Sequence, residues 1–238
     1  MDISLVIPAH NEAAVLGETL RAVAQKAPGF FREIVVIDNA SSDETAAIAR
    51  SVPGVRVVRE ERKGLPFARE CGIANTAGEF IAFLDADTLI TDGWAQRVAQ
   101  TFADAPEAVA VSGPRRYFGA PRWKLALLDL TWFIAPLVYR IVGYMILGGN
   151  FVARRSAFEA MGGIDTSIGF YGEDTDIARR LASVGKVVFR TDLVVYASAR
   201  RFEEEGLLMP NLRYALNYLW PVIAGRPFTR AYRDVRSL

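Results

Sequence analysis

Apolar residues in the first 112 positions fall into short unbroken runs, and the stretches between those runs repeat at helical spacing. Ile3 to Ile7 is a β-branched run that Pro8 is expected to stop. Leu16, Leu20, Val23 and Ala27 then share one face of a helix. Ile34 to Ile37 reads as a second strand ending at Asp38, and Ser41, Ser42 and Asp43 are helix-start residues for a segment reaching Arg50. Val55 to Val58 is a third strand, and Leu65 to Ala77 reads as a helix closed by Gly78. Phe80 to Leu84 is a fourth strand ending at Asp85. A helix from Asp92 to Ala105 is expected to bury Trp94, Val98 and Phe102, with a further strand over Ala108 to Ser112. Strands that are apolar throughout are covered on both faces. The pattern therefore predicts an α/β fold with a mostly parallel central sheet wrapped by helices. Open sheets of this kind hold ligands at the carboxyl ends of their strands, and two strands here end in carboxylates, Asp38 and Asp85.

After residue 120 the pattern changes. Pro121 to Leu147 is rich in Trp, Leu, Ile and Tyr and reads as one or two helices. Asn150 to Ala153 is a strand, Glu173 to Val184 a helix closed by Gly185, and Lys186 to Arg190 and Val194 to Ala197 are strands. No internal repeat, low-complexity tract or long linker divides the chain. The expected organisation is one domain over residues 1–205 with a helical, basic and aromatic C-terminal appendage over 206–238.

Composition narrows the chemistry. Hydrophobic residues make up 51% and charged residues 23%, enough apolar material for a packed core. The net charge of +1 does not suggest a nucleic-acid partner. One cysteine, Cys71, rules out an internal disulfide and suits a reducing compartment. One histidine, His10, rules out a histidine-rich zinc site, so a divalent metal must sit mainly on carboxylates. Met1 runs almost directly into an apolar strand with no basic leader, and a cytoplasmic location, at the inner face of the membrane, is expected. Asp129 and Arg140 interrupt the greasy stretch Leu125 to Leu147, leaving ten uncharged residues between them, where a span needs roughly 20.

Five constellations carry candidate chemistry. Asp85-Ala86-Asp87 at a strand end offers two hard oxygen ligands to a cation shared with phosphate, though Asp is also common in a solvated turn. Asp38, at another strand end, suits a base or ribose, with Ser41 to Asp43 capping the next helix. In Pro8-Ala9-His10-Asn11-Glu12 the structural reading makes Asn11 a cap and places Glu12 in a first turn. Tyr171-Gly172-Glu173-Asp174-Thr175-Asp176 crowds three acids at a helix start, which serves either the helix dipole or a general base. Lys63-Gly64 and Ala68-Arg69 suit donor phosphates or base, or a solvated basic face.

The order and spacing of these motifs resemble the family-two glycosyltransferases with a GT-A fold. The resemblance rests on Ile7 to Glu12, Val36 to Asp43, Lys63-Gly64 with Ala68-Arg69, Phe83 to Asp87, Gly148-Gly149-Asn150, Gly162 to Asp165 and Gly172 to Asp176. It covers residues 3 to about 202 and is thin from 115 to 147. It implies a nucleotide-diphosphate sugar donor, a saccharide or lipid-linked acceptor, and Mn2+ or Mg2+. By the same resemblance Pro8, Glu12 and Asp38 line the nucleotide pocket, and Arg69 approaches the base or ribose. Asp85 faces ribose or metal, Asp87 holds the metal, Asp174 is the base, and Glu173 shapes the acceptor side. Glu70 stands where the family often has Asn, and no Gln-x-x-Arg-Trp motif of the processive members occurs. Ser198 to Phe202 stands at a comparable position, so transfer is expected to be non-processive.

With one base and no opposing nucleophile, inversion at the anomeric carbon is expected, with Arg200 or Arg201 helping the leaving diphosphate. The rival readings are a nucleotidyltransferase and a non-catalytic nucleotide-sugar-binding or membrane scaffold protein. A dinucleotide-binding oxidoreductase lacks its glycine-rich turn here. The apolar stretch with Trp132, Phe133, Tyr139 and Tyr144 fits a peripheral membrane contact, a core helix or a homodimer interface. The tail, where Arg213, Arg226, Arg230, Arg233 and Arg236 stand against one acid, Asp234, fits the same membrane contact or a solvated surface.

Overall fold

A computed structural model of the chain describes residues 1–168 and 172–200 together with Phe202 and Gly206. Tyr171, Arg201 and the appendage expected beyond Gly206 lie outside the described residues. The first half alternates as the apolar pattern predicts: β1 (Ile3–Ala9), α1 (Leu16–Lys26), β2 (Glu33–Asn39), α2 (Thr45–Ser51), β3 (Val55–Glu60), α3 (Leu65–Ala74) and β4 (Phe80–Leu84). Next come β5 (Thr88–Ile90), α4 (Trp94–Asp104), β6 (Ala108–Ser112) and β7 (Arg115–Phe118). The apolar stretch forms α5 (Arg122–Leu130), a 3-10 turn over Thr131–Phe133 and α6 (Ala135–Val142). The chain continues through β8 (Asn150–Arg154), α7 (Arg155–Ala160), α8 (Glu173–Val184), β9 (Lys186–Phe189) and β10 (Val195–Ser198).

The main sheet has the order β3-β2-β1-β4-β8-β6-β9, and a small second sheet has the order β5-β10-β7. All neighbours in the main sheet are parallel except β8, which runs antiparallel between β4 and β6. Side chains alternate between the faces of β1. Ile3, Leu5 and Ile7 pack with Leu16, Leu20, Trp94 and Val98 on one side, and Val6 packs with Ala68, Phe83, Phe151 and Ile177 on the other. Burying both faces of a short strand is what its unbroken apolar run encodes.

Some expectations fail for local reasons. β1 runs through Pro8 to Ala9 instead of stopping. Its pairing with β4 ends at Val6, so Pro8 sits where only β2 remains alongside and a missing donor costs less. Helix α3 ends at Ala74 and not Ala77. Asn75 Nδ2 donates to the Cys71 carbonyl and Thr76 Oγ1 to the Gly72 carbonyl, and both hydroxyl and amide compete with further helix. Asn11 does not cap α1, whose first turn begins beyond Val15. It adopts a left-handed backbone (φ 51°), and its side-chain oxygen accepts from the Ser42 N–H at 2.9 Å. The short elements β5, β7 and α7 carry too little pattern to be read from sequence.

Candidate active site

Strands β2, β1 and β4 lie side by side and parallel, so the acids at their carboxyl ends meet along one edge of the sheet. Asp85 follows β4 directly. Its Oδ2 accepts from Arg115 at 2.9 Å, and Arg69 Nη2 lies 3.9 Å from its Oδ1. Asp87 Oδ2 accepts from Arg200 at 3.4 Å. The same Arg200 donates to both oxygens of buried Glu12, at 2.8 and 2.6 Å, and so ties the loop after β1 to the Asp-x-Asp turn.

Arg69 occupies the middle of this group. It sits in α3 with its side chain 1% exposed, its guanidinium 2.8 Å from Glu173 and donating to Asp174 at 3.1 Å. Burial by itself would loosen its proton, but Glu173, then Asp174 and Asp85, outweigh that and raise its pKa. Glu173 and Asp174 open α8 after Gly172, whose left-handed φ of 89° a residue with a side chain rarely adopts. The two acids point into different surroundings. Glu173 is 1% exposed, and burial pushes its carboxyl up to about 8 against the pull of Arg69. The Asp174 side chain is 40% exposed, so it alone of the pair meets solvent.

Gly148 and Gly149 form the floor. A methyl group on Gly148 would strike the Asp174 carboxylate and the Arg69 guanidinium, and one on Gly149 would strike Asp85 and Arg115. Asn150 then locks β8 in place. Its side chain donates to the carbonyls of Gly113 and Leu193 at 3.1 and 2.7 Å and accepts from Trp94 Nε1 at 2.9 Å.

The residues expected on the nucleotide side gather one strand over. Asp38, 2% exposed, accepts from the Ser41 N–H at 3.2 Å and from Arg59 at 2.5 Å. His10 Nδ1 donates to the Asn39 carbonyl at 2.6 Å, and Asn39 Oδ1 accepts from the Gly64 N–H at 2.8 Å. Lys63 stands exposed on the loop that Asn39 holds. Pro8 is buried at the end of β1, opposite Ile37.

Among the described residues no group of three or more His, Cys, Asp or Glu side chains gathers as a metal cage. Asp85 and Asp87 alone offer two carboxylates. That set fits a hard divalent cation that takes its remaining oxygens from a diphosphate and water.

Residues 4–162 match the model of glycosyl transferase family 2. The chain belongs to this family. Human polypeptide N-acetylgalactosaminyltransferase 6 is 28% identical over 76% of the chain, and glycosyltransferase AglE of Haloferax volcanii is 34% identical over 42%. The chain spans 35% of the length of each of these relatives. Among solved structures, the mannosyltransferase PcManGT from Pyrobaculum calidifontis in complex with GDP-Man and Mn2+ superposes with a TM-score of 0.72 at 20% identity. That match covers 93% of this chain and 64% of that one. GalNAc-T7 with UDP, GalNAc and Mn2+ has a TM-score of 0.65 at 21% identity, covering 83% and 44%. These likenesses establish the GT-A fold read from the motifs.

The fold therefore brings together Glu12, Arg69, Asp85, Asp87, Glu173 and Asp174, and sets Asp38 with Pro8 on the neighbouring strands. Arg69, expected near a base or ribose, joins Asp85 to Asp174. Sequence reasoning missed Arg115, because β7 reads Arg-Arg-Tyr-Phe with no apolar alternation to mark a strand. The role of Gly148-Gly149 in fitting the carboxylates together was also hidden in a motif that names only small residues.

Proposed function

We propose that this family 2 member transfers a sugar from a nucleotide-diphosphate donor to a hydroxyl of a saccharide or lipid-linked acceptor. Transfer is metal-dependent and non-processive, with inversion at the anomeric carbon. The observation that carries the reading is Arg69, a single buried guanidinium that spans the strand-end carboxylate Asp85 and the solvent-facing carboxylate Asp174. A donor group held on the Asp85 side and an acceptor hydroxyl at Asp174 are thereby held to one geometry, which is where positioning lowers a barrier.

Asp174 takes the proton of the acceptor hydroxyl as its oxygen forms a bond to the anomeric carbon. On the far side the bond to the diphosphate oxygen breaks, and the nucleoside diphosphate leaves with the electron pair. The sugar passes through an oxocarbenium-like state, and a single in-line displacement inverts its configuration. Arg69 orients Asp174, and Glu173, buried against the same guanidinium, shapes the acceptor side. Asp85 and Asp87 would hold Mn2+ or Mg2+, which as a Lewis acid neutralises charge on the leaving diphosphate. Arg200, paired with Glu12 and Asp87, supplies a guanidinium at the same place.

Incubation with a panel of nucleotide sugars and manganese, reading nucleoside diphosphate release, tests this. Pyrophosphate release would mark nucleotidyl transfer instead. Full activity after exhaustive EDTA treatment would remove the metal from the scheme. Donor binding without turnover, unchanged by Asp174→Asn, would make the chain a binding protein.

A further inference from the structure

The segment between β7 and β8 has two unlike sides. Facing the domain, Trp132 stacks on Phe189 with ring centroids 6.4 Å apart, and Tyr139 donates its hydroxyl to the Val187 carbonyl at 3.0 Å. Facing away, Trp123, Leu127, Leu130, Ile134, Leu137 and Ile141 recur at intervals of four and three and are all exposed, Ile141 by 75%. Phe133 beside them is 79% exposed. Most of the exposed large hydrophobic side chains among the described residues lie on this one rod. Singly exposed apolar residues need no explanation, but a contiguous ribbon does.

We propose that this ribbon lies in the plane of an anionic lipid bilayer and seats the catalytic edge at its surface. By length and composition the stretch Arg122–Val142 is sufficient to cross a membrane. Its tethers are not: β7 ends at Phe118 and β8 begins at Asn150, both within the same domain. A single crossing would put the two ends of the rod roughly 30 Å apart on opposite faces. Trp132 and Tyr139 bind the rod to Phe189 and Val187 of β9, so the domain itself lies along the rod and stands in the way of a crossing. The rod is therefore a surface element with one wet side to cover.

Charge selects the occupant. Arg122, Lys124 and Arg140 flank the ribbon against one acid, Asp129. In a two-fold antiparallel pairing with a second copy, Arg122 and Lys124 would meet Arg140 of the other chain, like against like. An anionic headgroup layer meets all three favourably, and each basic residue adds to the attraction. Phe202 packs on Tyr117 of β7, and after the three acids Glu203, Glu204 and Glu205 the sequence beyond Gly206 carries five arginines and one acid. The consequence rests on the transferase reading. Gly148, against Asp174, follows Ile141 by seven positions, which holds the proposed base within about 25 Å of the end of the ribbon.

The test is co-sedimentation of the full chain with vesicles of phosphatidylcholine containing about one third phosphatidylglycerol, beside vesicles of phosphatidylcholine alone. The variant Leu130→Gln/Ile134→Gln/Leu137→Gln replaces three side chains that are already exposed, and its melting temperature checks its fold. Supporting results are binding to the anionic vesicles, release of the chain by alkaline carbonate, and a fall in partitioning of about tenfold or more in the variant. Four results would overturn the proposal. They are a parent that stays in the supernatant at low salt, and a variant that binds as well as the parent. The others are parent dimers that the variant breaks, with no vesicle binding, and vesicle binding only once residues 207–238 are removed, which would make that tail the cover. Stabilisation by nucleotide sugars is measured separately: vesicle binding without it supports the surface and removes only the transferase reading.

Discussion

Arg69 and Arg59 each answer a carboxylate at the end of a parallel strand, in opposite settings. Arg69 is sealed among Glu173, Asp174 and Asp85 under a floor of two glycines. Arg59 reaches over the rim to Asp38 with its own side chain 42% exposed. A buried charge has no water to fall back on, so its partners must be built in and kept in register. An exposed guanidinium exchanges its partner for solvent at little cost. The first cluster therefore acts as a frame that fixes geometry. The second is a contact at the rim, where, on the proposed reading, an incoming nucleotide would take the place of Arg59.

The sharpest way to break this contrast is Arg69→Met. It leaves Glu173 and Asp174 without their cation, and we expect a loss of roughly 3–5 kcal/mol in denaturant unfolding. A loss no larger than that of a surface substitution would show that the cluster is not a frame. Asp174→Asn keeps the shape and removes the proposed base. Its kcat should fall by roughly 10²–10⁴ with donor affinity unchanged, and Glu173→Gln should cost less. A larger loss for Glu173→Gln would exchange the two roles.

The third expectation concerns pH. The Glu173 carboxyl sits at about 8 in the folded chain against an ordinary 4.5. Between those values the folded chain holds a proton that the unfolded chain has released. Its contribution to stability is thus complete below about 4.5 and is lost as pH rises towards 8, with a slope of at most about 1.4 kcal/mol per pH unit. Melting temperatures across this window, compared with Glu173→Gln, should show the slope flatten in the variant. The smallest effect belongs to Arg59→Ala. Its melting temperature should fall by less than that of Arg69→Met, because the guanidinium it removes lies half in water and the buried Asp38 carboxylate it leaves still accepts from the Ser41 N–H.

Much of this contrast was legible in sequence because it is written in periodicity. The apolar runs of β1, β2 and β4 placed Asp38 and Asp85 at one edge, and Glu173 to Val184 announced its own helix. The direction each side chain takes was not legible. Glu173 and Asp174 are neighbours with near-identical chemistry, and only the packing of α8 turns one inward and leaves the other wet. Arg115 comes from a strand of four residues paired with β10, a contact set by the chain 80 positions later. The segment from Pro121 to Leu147 read as apolar helix in any setting. Its division into an inner face on Phe189 and an outer ribbon depends on which turns the sheet has room to receive.

The bond between Arg69 and Asp174 closes a loop of 105 residues. A ribosome adding roughly 5–20 residues each second leaves Arg69 waiting about 5–20 s for the helix that completes it. In that interval the early strands cannot shut over α3 without sealing in a cation that has, of its three acids, only Asp85 at 3.9 Å. The docking of α8 is then a late, committing event of folding, and the nascent half has reason to stay loose until it comes. A chain stopped after residue 162, where the family match ends, would hold every strand of that half and still lack Glu173 and Asp174. It should accumulate as a partly open species that proteases cut within α3, whereas one extended through α8 should resist.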